Sequence, residues 1–436
     1  MHVIEKNTQF EELKSFTDKC YAVPIFIDSK KHRLNNSLSL LYIEYESREF
    51  MLCFDHSESL SISLDCLKEL NFKKIYVPNS NDLHLDNTID VSMLYYLNTN
   101  KPLEFNFDSN THNYFERKYY RFNNINKLIP IFKHLENCRK MVQKMKRVIE
   151  VCDINDVFSI YNENVLSNLN FIESSGLKVD KNLIPIDYHR HISNDNFVYT
   201  EYNPYTSTGR PSNKYGGMNF GALNKSDGSR KPFISRFDNG ILVEMDYDAY
   251  HLRLIADIIG YDFPSGSVHK YLGEQYGVDY EESKKLSFKY LYGGIPTEIS
   301  QNIPFFKLVE KYIDFKWNEY NTSFSVKSDI YNRVISKKNL IDMNPNKLFN
   351  YLIQLNETEY NMKMLSNLTD VVEPYKSKLI LYQYDSFLFD FCLDDGKDFL
   401  QKVRTTIEQN GKFPVKVAKG INYHEIKDIT EKLNVC

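Results

Sequence analysis

The sequence predicts an α/β region over its first third and a mixed α+β region over the rest. Three observations support this fold class: short apolar strands near the N-terminus, long stretches with helical periodicity, and apolar strands that return near the C-terminus. Four early strands are predicted, at 21–28, 37–46, 49–54 and 74–77. Helices are predicted at 89–97, 126–151 and 157–175, the last of them followed by Gly176.

The middle of the chain is predicted to be irregular before regular structure returns. Proline and asparagine interrupt residues 181–204, and a glycine-rich loop covers 205–228. The later elements are predicted in this order: a strand ending at Asp246, a helix at 250–259, a mostly helical stretch at 266–370, a hairpin around Asp385 and a final α/β stretch.

The composition is that of an ordinary globular protein, with 42% hydrophobic and 26% charged residues. A length of 436 residues fits two or three domains, and the net charge of −4 gives no overall basic field. The seven cysteines lack a C-x-x-C pair, so neither a disulfide framework nor structural zinc is expected. Without a signal-peptide core or an apolar run of membrane-spanning length, we expect a cytoplasmic protein with no membrane partner.

Two aspartates, Asp246 and Asp385, lie where apolar strands are predicted to end. Either one alone would more often begin a turn or cap a helix. If their strands are neighbours in one sheet, the two carboxylates could hold the pair of metal ions, about 4 Å apart, that phosphoryl transfer uses.

A predicted helix between these aspartates carries Lys284, Phe288 and Tyr292 at a spacing of four, which places them on one face. Lysine can neutralise phosphate and an aromatic ring can stack on a base. Gly293 and Gly294 follow directly and permit close approach of the backbone to a template. An isolated helix of this kind is more often an amphipathic helix with a packed aromatic stripe.

These segments, in this order, resemble the motifs of family A DNA polymerases. The loop Thr208-Gly209-Arg210 precedes the first aspartate, as in the family, and Asn350 with Gln354 precedes the second. The resemblance implies a right-hand polymerase palm and fingers with a reduced thumb, preceded by a ribonuclease H-like exonuclease-type domain. The implied domains are 1–135, 136–204 and 205–436, with fingers at about 266–345. The thumb is called reduced because only residues 181–205 separate Asp180 from this loop.

The resemblance also implies a role for particular residues. Catalysis would use Asp246, Asp385 and Lys284, and the metal ligands would be Asp246, Asp385 and the carbonyl of Tyr247. The nucleotide would be bound by Tyr247, His251, His269, Lys284, Phe288 and Tyr292. DNA would be bound by Arg210, Asn219, Arg230, Arg253, Gly293 and Gln354. The implied cofactor is Mg²⁺ as two ions, with Mn²⁺ able to substitute. The implied partners are primer-template DNA and dNTPs, with a processivity factor or other replication protein as a further candidate.

The chain departs from the family pattern at three places. His251 stands where the family has a glutamate, which places discrimination against ribonucleotides in question. Residues 384–386 read Tyr-Asp-Ser where the family has His-Asp-Glu. Tyr280 replaces an arginine four residues before the helix lysine, and Lys285 or Lys289 is a candidate to compensate for the lost charge.

The first third resembles the family's 3′–5′ exonuclease domain less closely. Asp28 and Asp82 match two of its acidic positions, but Lys30 and Asn126 replace two others. Hydrolysis by two metals needs several carboxylates around one phosphate. We therefore expect an exonuclease-type domain that has lost its activity.

The leading functional prediction is a template-directed DNA polymerase that adds dNTPs to a primer 3′ end by a two-metal mechanism, without proofreading. The small size suggests phage or mobile-element DNA replication or repair, in a bacterial host cytoplasm if the gene is phage-borne. One alternative is a non-catalytic primer-template binding protein derived from a polymerase. Another is a nuclease centred on Asp28 and Asp82, against which Lys30 and Asn126 argue.

Overall fold

The protein is described by a computed structural model that covers residues 1–28, 31–83, 85, 87–105, 125–213 and 218–433. The chain divides into two compact units. Unit 1 consists of the described residues of Met1–Asn170, Ile184–Glu201 and Asn213–Asn219. Unit 2 consists of Phe171–Leu183, Tyr202–Ser212 and the described residues from Phe220 onward.

The strands and helices are numbered in chain order. The strands are β1 (His2–Ile4), β2 (Lys19–Phe26), β3 (Leu38–Tyr45), β4 (Arg48–Cys53), β5 (Lys74–Val77), β6 (Thr88–Asp90), β7 (Leu177–Val179), β8 (Phe197–Val198), β9 (Tyr202–Asn203), β10 (Ser212–Asn213), β11 (Phe233–Ile234), β12 (Gly240–Tyr247), β13 (Ser325–Lys327), β14 (Val334–Ser336), β15 (Lys378–Gln383), β16 (Ser386–Cys392), β17 (Val415–Gly420) and β18 (Lys427–Asp428). The helices are α1 (Asn7–Lys14), α2 (Val91–Thr99), α3 (Ile131–Val151), α4 (Asp156–Ile160), α5 (Leu166–Ser175), α6 (Tyr250–Ile259), α7 (Val268–Tyr276), α8 (Tyr280–Gly293), α9 (Thr297–Asn302), α10 (Pro304–Thr322), α11 (Pro345–Val372), α12 (Gly396–Glu408) and α13 (Thr430–Leu433).

Unit 1 is built on a six-stranded mixed sheet in the order β1-β4-β3-β2-β5-β6. Strands β2, β3 and β4 pair antiparallel, while β5 and β6 join β2 in parallel. The first six residues of β3, from Leu38 to Ile43, are all buried, as expected for a central strand covered on both faces. The α/β character predicted for this region is confirmed.

The bounds or the continuity of three helices predicted between residues 89 and 175 differ in the structure. The helix predicted at 89–97 begins at Val91, because the Asp90 carboxylate accepts the Met93 backbone N–H at 2.8 Å, and β6 precedes it. The helix predicted at 126–151 begins at Ile131, directly after Pro130. The helix predicted at 157–175 is α4 and α5, joined by a π-helical turn at Tyr161–Val165.

Unit 2 centres on an antiparallel sheet in the order β15-β16-β12-β17-β18. Strand β12 lies in the middle and pairs with β16 on one side and β17 on the other. Its apolar residues Leu242, Val243 and Met245 are buried, and α6 follows after a two-residue turn. The predicted strand at Asp246, the hairpin at Asp385 and the α+β character of this region are confirmed.

The stretch predicted as mostly helical, 266–370, contains a β-hairpin as well as α7 to α11. Strands β13 and β14 pair antiparallel, with Val326 opposite Ile335. Both side chains are buried in a cluster with Leu352 and Leu355 of α11. The stretch is mostly helical, as predicted, and the hairpin was not predicted because three-residue strands are too short to show an alternating pattern.

Among the described residues, no helix combines the length and the apolar character needed to cross a lipid bilayer.

Candidate active site

The register of the central sheet brings the two predicted aspartates to the same end of adjacent strands. Asp246, near the end of β12, is opposite Ser386, the first residue of β16. Asp385 lies in the turn between β15 and β16, and its carbonyl accepts the Tyr247 backbone N–H at 3.0 Å. The neighbours of each aspartate in the sheet therefore join two segments that are far apart in sequence.

Both aspartates adjoin a turn with unusual backbone geometry. Tyr384 has φ +58°, and Ala249, which begins α6 after β12, has φ +54°. Side chains other than glycine rarely adopt this left-handed region, and such residues concentrate at functional sites. Asn361 of α11 supports the first turn, since its side-chain amide donates to the Tyr384 carbonyl at 2.7 Å and to the Tyr382 hydroxyl at 3.0 Å. Its amide oxygen accepts the Tyr250 hydroxyl at 2.6 Å.

The environment of the two carboxylates disfavours their negative charge. Burial, and next the neighbouring Asp385, raise the pKa of Asp246 to about 7. Burial, and next the Glu357 carboxylate, raise the pKa of Asp385. Neither aspartate forms a salt bridge with another residue of the described chain. Two neighbouring carboxylates with raised pKa values and no cation partner are electrostatically suited to bind one.

A cavity of about 260 Å³ opens over these aspartates. Seven of the predicted site residues line it: Asp246, Tyr247, His251, His269, Lys284, Phe288 and Asp385. Five further residues complete the wall: Asp248, Ala249, Tyr250, Tyr280 and Lys416. The predicted metal and nucleotide residues, apart from Tyr292, therefore share one cavity.

The predicted face of α8 points at this cavity. The rings of Phe288 and Tyr292 stack in parallel, with centroids 6.0 Å apart and planes 4° from parallel. Tyr292 does not line the cavity, but its hydroxyl makes a short hydrogen bond with Nδ1 of His251. Asn350 of α11 donates to the Tyr292 carbonyl at 3.0 Å and fixes the end of the helix.

His269 is almost fully buried, with 2% of its surface exposed, and still lines the cavity. Burial lowers its pKa, which keeps the ring neutral near pH 7. Its carbonyl accepts the Ser283 hydroxyl at 2.6 Å, which joins α7 to α8. Its Nδ1 atom has no hydrogen-bond partner among the described residues, so a ligand in the cavity could supply one.

Comparisons with known proteins bear on the fold. A scan of the sequence against family models gives no match, and a search of curated proteins gives none either. The structure is similar to the POL domain of Pol1 from M. smegmatis in complex with DNA primer-template and dNTP, with a TM-score of 0.68. The similarity covers 97% of this chain and 99% of that chain at 13% sequence identity. The chain has the fold of a DNA polymerase domain.

Within this polymerase fold, three arginines predicted to bind DNA make internal contacts. Arg210 pairs with Glu357, and its guanidinium lies 4.2 Å from the centroid of the Tyr384 ring. Arg230 is 7% exposed, and its Nε donates to the Leu223 carbonyl at 3.1 Å. Arg253 donates to the Asp248 carbonyl at 3.1 Å and lies outside the cavity over the aspartates. These contacts link the three arginines to neighbouring backbone and side-chain groups of unit 2.

The other predicted DNA-binding residues are distributed more widely. Gln354 is half-buried on α11, and Asn219 is exposed and belongs to unit 1. Gly293 ends α8, where an added Cβ would meet no atom within 4 Å. The backbone requires glycine at position 294, since Gly294 has φ +108° and an added Cβ would lie 2.8 Å from Nδ2 of Asn346.

Sequence reasoning missed Glu357, a carboxylate with 1% exposure on α11. Its Oε2 atom lies 2.8 Å from Arg210 Nε and 3.2 Å from His251 Nε2. Burial opposes ionisation of Glu357, but His251 and Arg210 outweigh it and hold the pKa below its usual value. A usable signal existed, because Glu357 follows Gln354 by three residues and so shares its helix face.

The residues predicted for an exonuclease site lie in unit 1. Asn126 donates from its side chain to the Phe26 carbonyl at 2.9 Å and from its backbone to the Ile27 carbonyl at 3.1 Å, next to Asp28. Asp82 ends a short 3₁₀ turn. Lys30 lies outside the described residues, as do residues 122–124 of the third motif. Within the described ranges no three His, Cys, Asp or Glu side chains form a metal-binding group, in this unit or around Asp246.

The third carboxylate of the cavity, Asp248, pairs with Lys416, and a site with only Asp246 and Asp385 as carboxylate ligands is compatible with magnesium. This ion keeps several waters and is often held by one or two protein carboxylates together with substrate phosphates. Asp246 and Asp385 supply the two carboxylates, whose pKa values are raised by burial and next by a neighbouring carboxylate. The residues present therefore fit a divalent cation that is shared with a phosphorylated substrate.

Proposed function

We propose that the protein is a template-directed DNA polymerase that adds dNTPs to the 3′ end of a primer by a two-metal mechanism. The observation that carries the proposal is the pair of carboxylates of Asp246 and Asp385, which have no ion-pair partner among the described residues and share one cavity with Lys284, Phe288 and His269. The similarity in fold to the POL domain of Pol1, whose structure contains DNA primer-template and dNTP, supports it.

The metal would be held by Asp246, Asp385 and the backbone carbonyl of Tyr247. Bound Mg²⁺, or Mn²⁺ in its place, supplies a lowered pKa at the primer 3′-hydroxyl and neutralises charge on the departing pyrophosphate. The primer 3′-hydroxyl would lose its proton to solvent, and its oxygen would form a bond to the α-phosphorus as the bond from that phosphorus to the bridging oxygen breaks and pyrophosphate leaves. The carboxylates must be ionised to bind metal, so the raised pKa of Asp246 makes metal binding weaken below about pH 7.

The remaining cavity residues would bind and orient the nucleotide. Lys284 neutralises phosphate charge, and the neutral His269 ring offers its unpartnered Nδ1 atom to a phosphate hydroxyl or oxygen. Phe288, which stacks on Tyr292, gives the incoming base a flat apolar surface. His251, bonded to Tyr292, limits the space next to the sugar.

DNA would be bound by Arg210, Asn219, Arg230, Arg253, Gly293 and Gln354, with Arg210 nearest to the reacting groups. We further propose that unit 1 has no exonuclease activity, because Asn126 stands at an acidic position and is bound to the backbone. With a reduced thumb, DNA binding is expected to be weak and distributive unless a processivity factor assists. A phage or mobile-element origin is tested by the gene's neighbours, which should include replication or phage genes.

Primer extension with an isosteric variant tests the function. The wild-type protein with Mg²⁺, a labelled primer on a DNA template and four dNTPs is expected to extend the primer in template order. Asp385→Asn is expected to lower the rate by at least about a thousand-fold, or about 4 kcal/mol in activation free energy. The control Asp394→Asn alters an exposed carboxylate of the same unit that pairs with Lys376, and it should extend normally.

Stability separates a chemical loss from misfolding. Without metal, Asp385→Asn should unfold at the same or a higher urea concentration than wild type, because the change removes a negative charge that repels Asp246. Absence of extension by the wild-type protein, despite tight primer-template binding, would refute catalysis and favour a non-catalytic primer-template binding protein.

A further inference from the structure

The cavity over the aspartates contains a second lysine that no sequence motif indicated. Lys416 lies on β17, directly opposite Asp246 across the strand pair. It lines the cavity together with Lys284 of α8, so the two cations reach the same space from the sheet and from the helix. The lysines considered as replacements for the missing fingers arginine, Lys285 and Lys289, are both exposed and neither lines the cavity.

The contacts of Lys416 show where its ammonium group lies. Its Nζ atom is 2.9 Å from Oδ1 of Asp248, whose side chain is 15% exposed. Tyr280, the residue that stands in place of the arginine, interacts through its hydroxyl with the same ammonium group. The Lys416 charge also acts on Asp246 and on His269, the residues at the two ends of the proposed nucleotide site.

A second, larger cavity of about 900 Å³ adjoins the first. Lys416, Asp248 and Tyr280 line both, so Lys416 stands where the two spaces meet. Arg253 and Lys412 lie further out in the larger cavity. A polyphosphate that extends away from the aspartates would pass Lys416 before it reaches solvent.

We propose that Lys416 binds the β- and γ-phosphates of the incoming nucleotide, and then the released pyrophosphate, from the sheet side of the cavity. A nucleoside triphosphate carries several negative charges close together, and Lys284 alone neutralises one of them. Asp248 acts as a positioning residue that holds the Lys416 side chain against the cavity wall. This inference rests on the proposed polymerase function, because that function supplies the triphosphate.

The test uses a primer that ends in a dideoxynucleotide, so that dATP binds opposite a template thymine without reacting. The dissociation constant for dATP is measured by fluorescence titration in Mg²⁺ for wild type and three variants. Lys416→Met is expected to raise this constant about ten-fold, a typical loss for one charge-assisted contact. Lys416→Arg, which keeps the charge, is expected to restore most of the affinity.

Lys419→Met is the matched control, because Lys419 is an exposed lysine of the same strand that lies outside both cavities. It should leave dATP binding unchanged. The inhibition constant of pyrophosphate in primer extension should rise in Lys416→Met by the same factor as the dATP constant. Equal dATP affinity in Lys416→Met and wild type, or an equal loss in Lys419→Met, would overturn the inference.

Calorimetric titration with inorganic tripolyphosphate keeps this result separate from the polymerase test. If the wild-type protein extends no primer but binds tripolyphosphate, and Lys416→Met weakens that binding while Lys419→Met does not, the polyphosphate site stands and the polymerase proposal fails. If the wild-type protein binds neither tripolyphosphate nor dATP, both fail. If it extends primers and Lys416→Met binds tripolyphosphate normally, only the role of Lys416 is rejected.

Discussion

Glu357 of α11 is predicted to hold the Arg210 and His251 side chains in position through its carboxylate. Its carboxylate is 1% exposed and lies within 3.2 Å of both partners. In Glu357→Gln the amide keeps the size of the side chain but removes its charge. The Arg210 guanidinium, 26% exposed, is left facing a neutral group.

The magnitude follows from the burial of this ion pair. Removing one partner of a buried pair costs about 3–5 kcal/mol, and the partial exposure of Arg210 places the expected loss near the lower value, about 3 kcal/mol. The free energy of unfolding is measured by urea titration at pH 7. The double variant Glu357→Gln/Arg210→Met should be less destabilised than the sum of the single changes, by about 1–3 kcal/mol.

Primer-extension activity distinguishes a role of Glu357 in the active site from a purely structural role in α11. Glu359→Gln is the control, since Glu359 is also buried on α11 but accepts the Tyr331 backbone N–H at 3.0 Å and does not line the cavity. Both variants should lower stability, but only Glu357→Gln should slow primer extension, because Arg210 and His251 lose their anchor. A Glu357→Gln protein as stable and as active as wild type would refute the reasoning.

Three other predictions concern the same unit. In metal-free buffer, Asp246 with a pKa near 7 binds its proton more tightly in the folded than in the unfolded state. The free energy of unfolding, measured by urea titration, should therefore fall from about pH 4 to pH 7. Asp246→Asn should lose this slope, and equal slopes in the variant and the wild type would contradict the assignment. Asn361→Ala should lower the free energy of unfolding by about 1–3 kcal/mol, measured by urea titration, because three partners lose hydrogen bonds, and it should slow primer extension. A neutral result would show that Asn361 does not hold the Asp385 turn. Gly294→Ala should lower the melting temperature, because it introduces a backbone strain of about 1–3 kcal/mol. Gly293→Ala should leave the melting temperature unchanged or raise it. The reverse order of the two variants would contradict the backbone assignment.

The paired aspartates could be predicted from sequence because each ends an apolar strand, and strand ends of one sheet meet at an edge. The face of α8 could be predicted because residues four apart lie together on a helix. Both inferences rest on a local pattern, and the register of β12 against β16 brings the two aspartates together.

Glu357 and Lys416 could not be assigned in this way. Glu357 lies in a helix that is buried on most sides, so no polar face marks it as different from its neighbours. Lys416 alternates with the buried Val415 and Val417 and therefore reads as an ordinary solvent-facing strand residue. Only the pairing of β17 with β12 shows that this face of the strand looks toward Asp246.

The position of β12 in its sheet has a consequence for biosynthesis. Both of its neighbours, β16 and β17, come from far downstream, so β12 leaves the ribosome with two unpaired edges and stays that way while more than a hundred residues are added. Exposed strand edges recruit other chains. A nascent chain stalled before residue 415 would still lack β17, and we expect it to depend on chaperones or to aggregate. Codon choice and translation speed between residues 247 and 415 should therefore affect the yield of folded protein more than codon choice and translation speed in the segment that encodes unit 1.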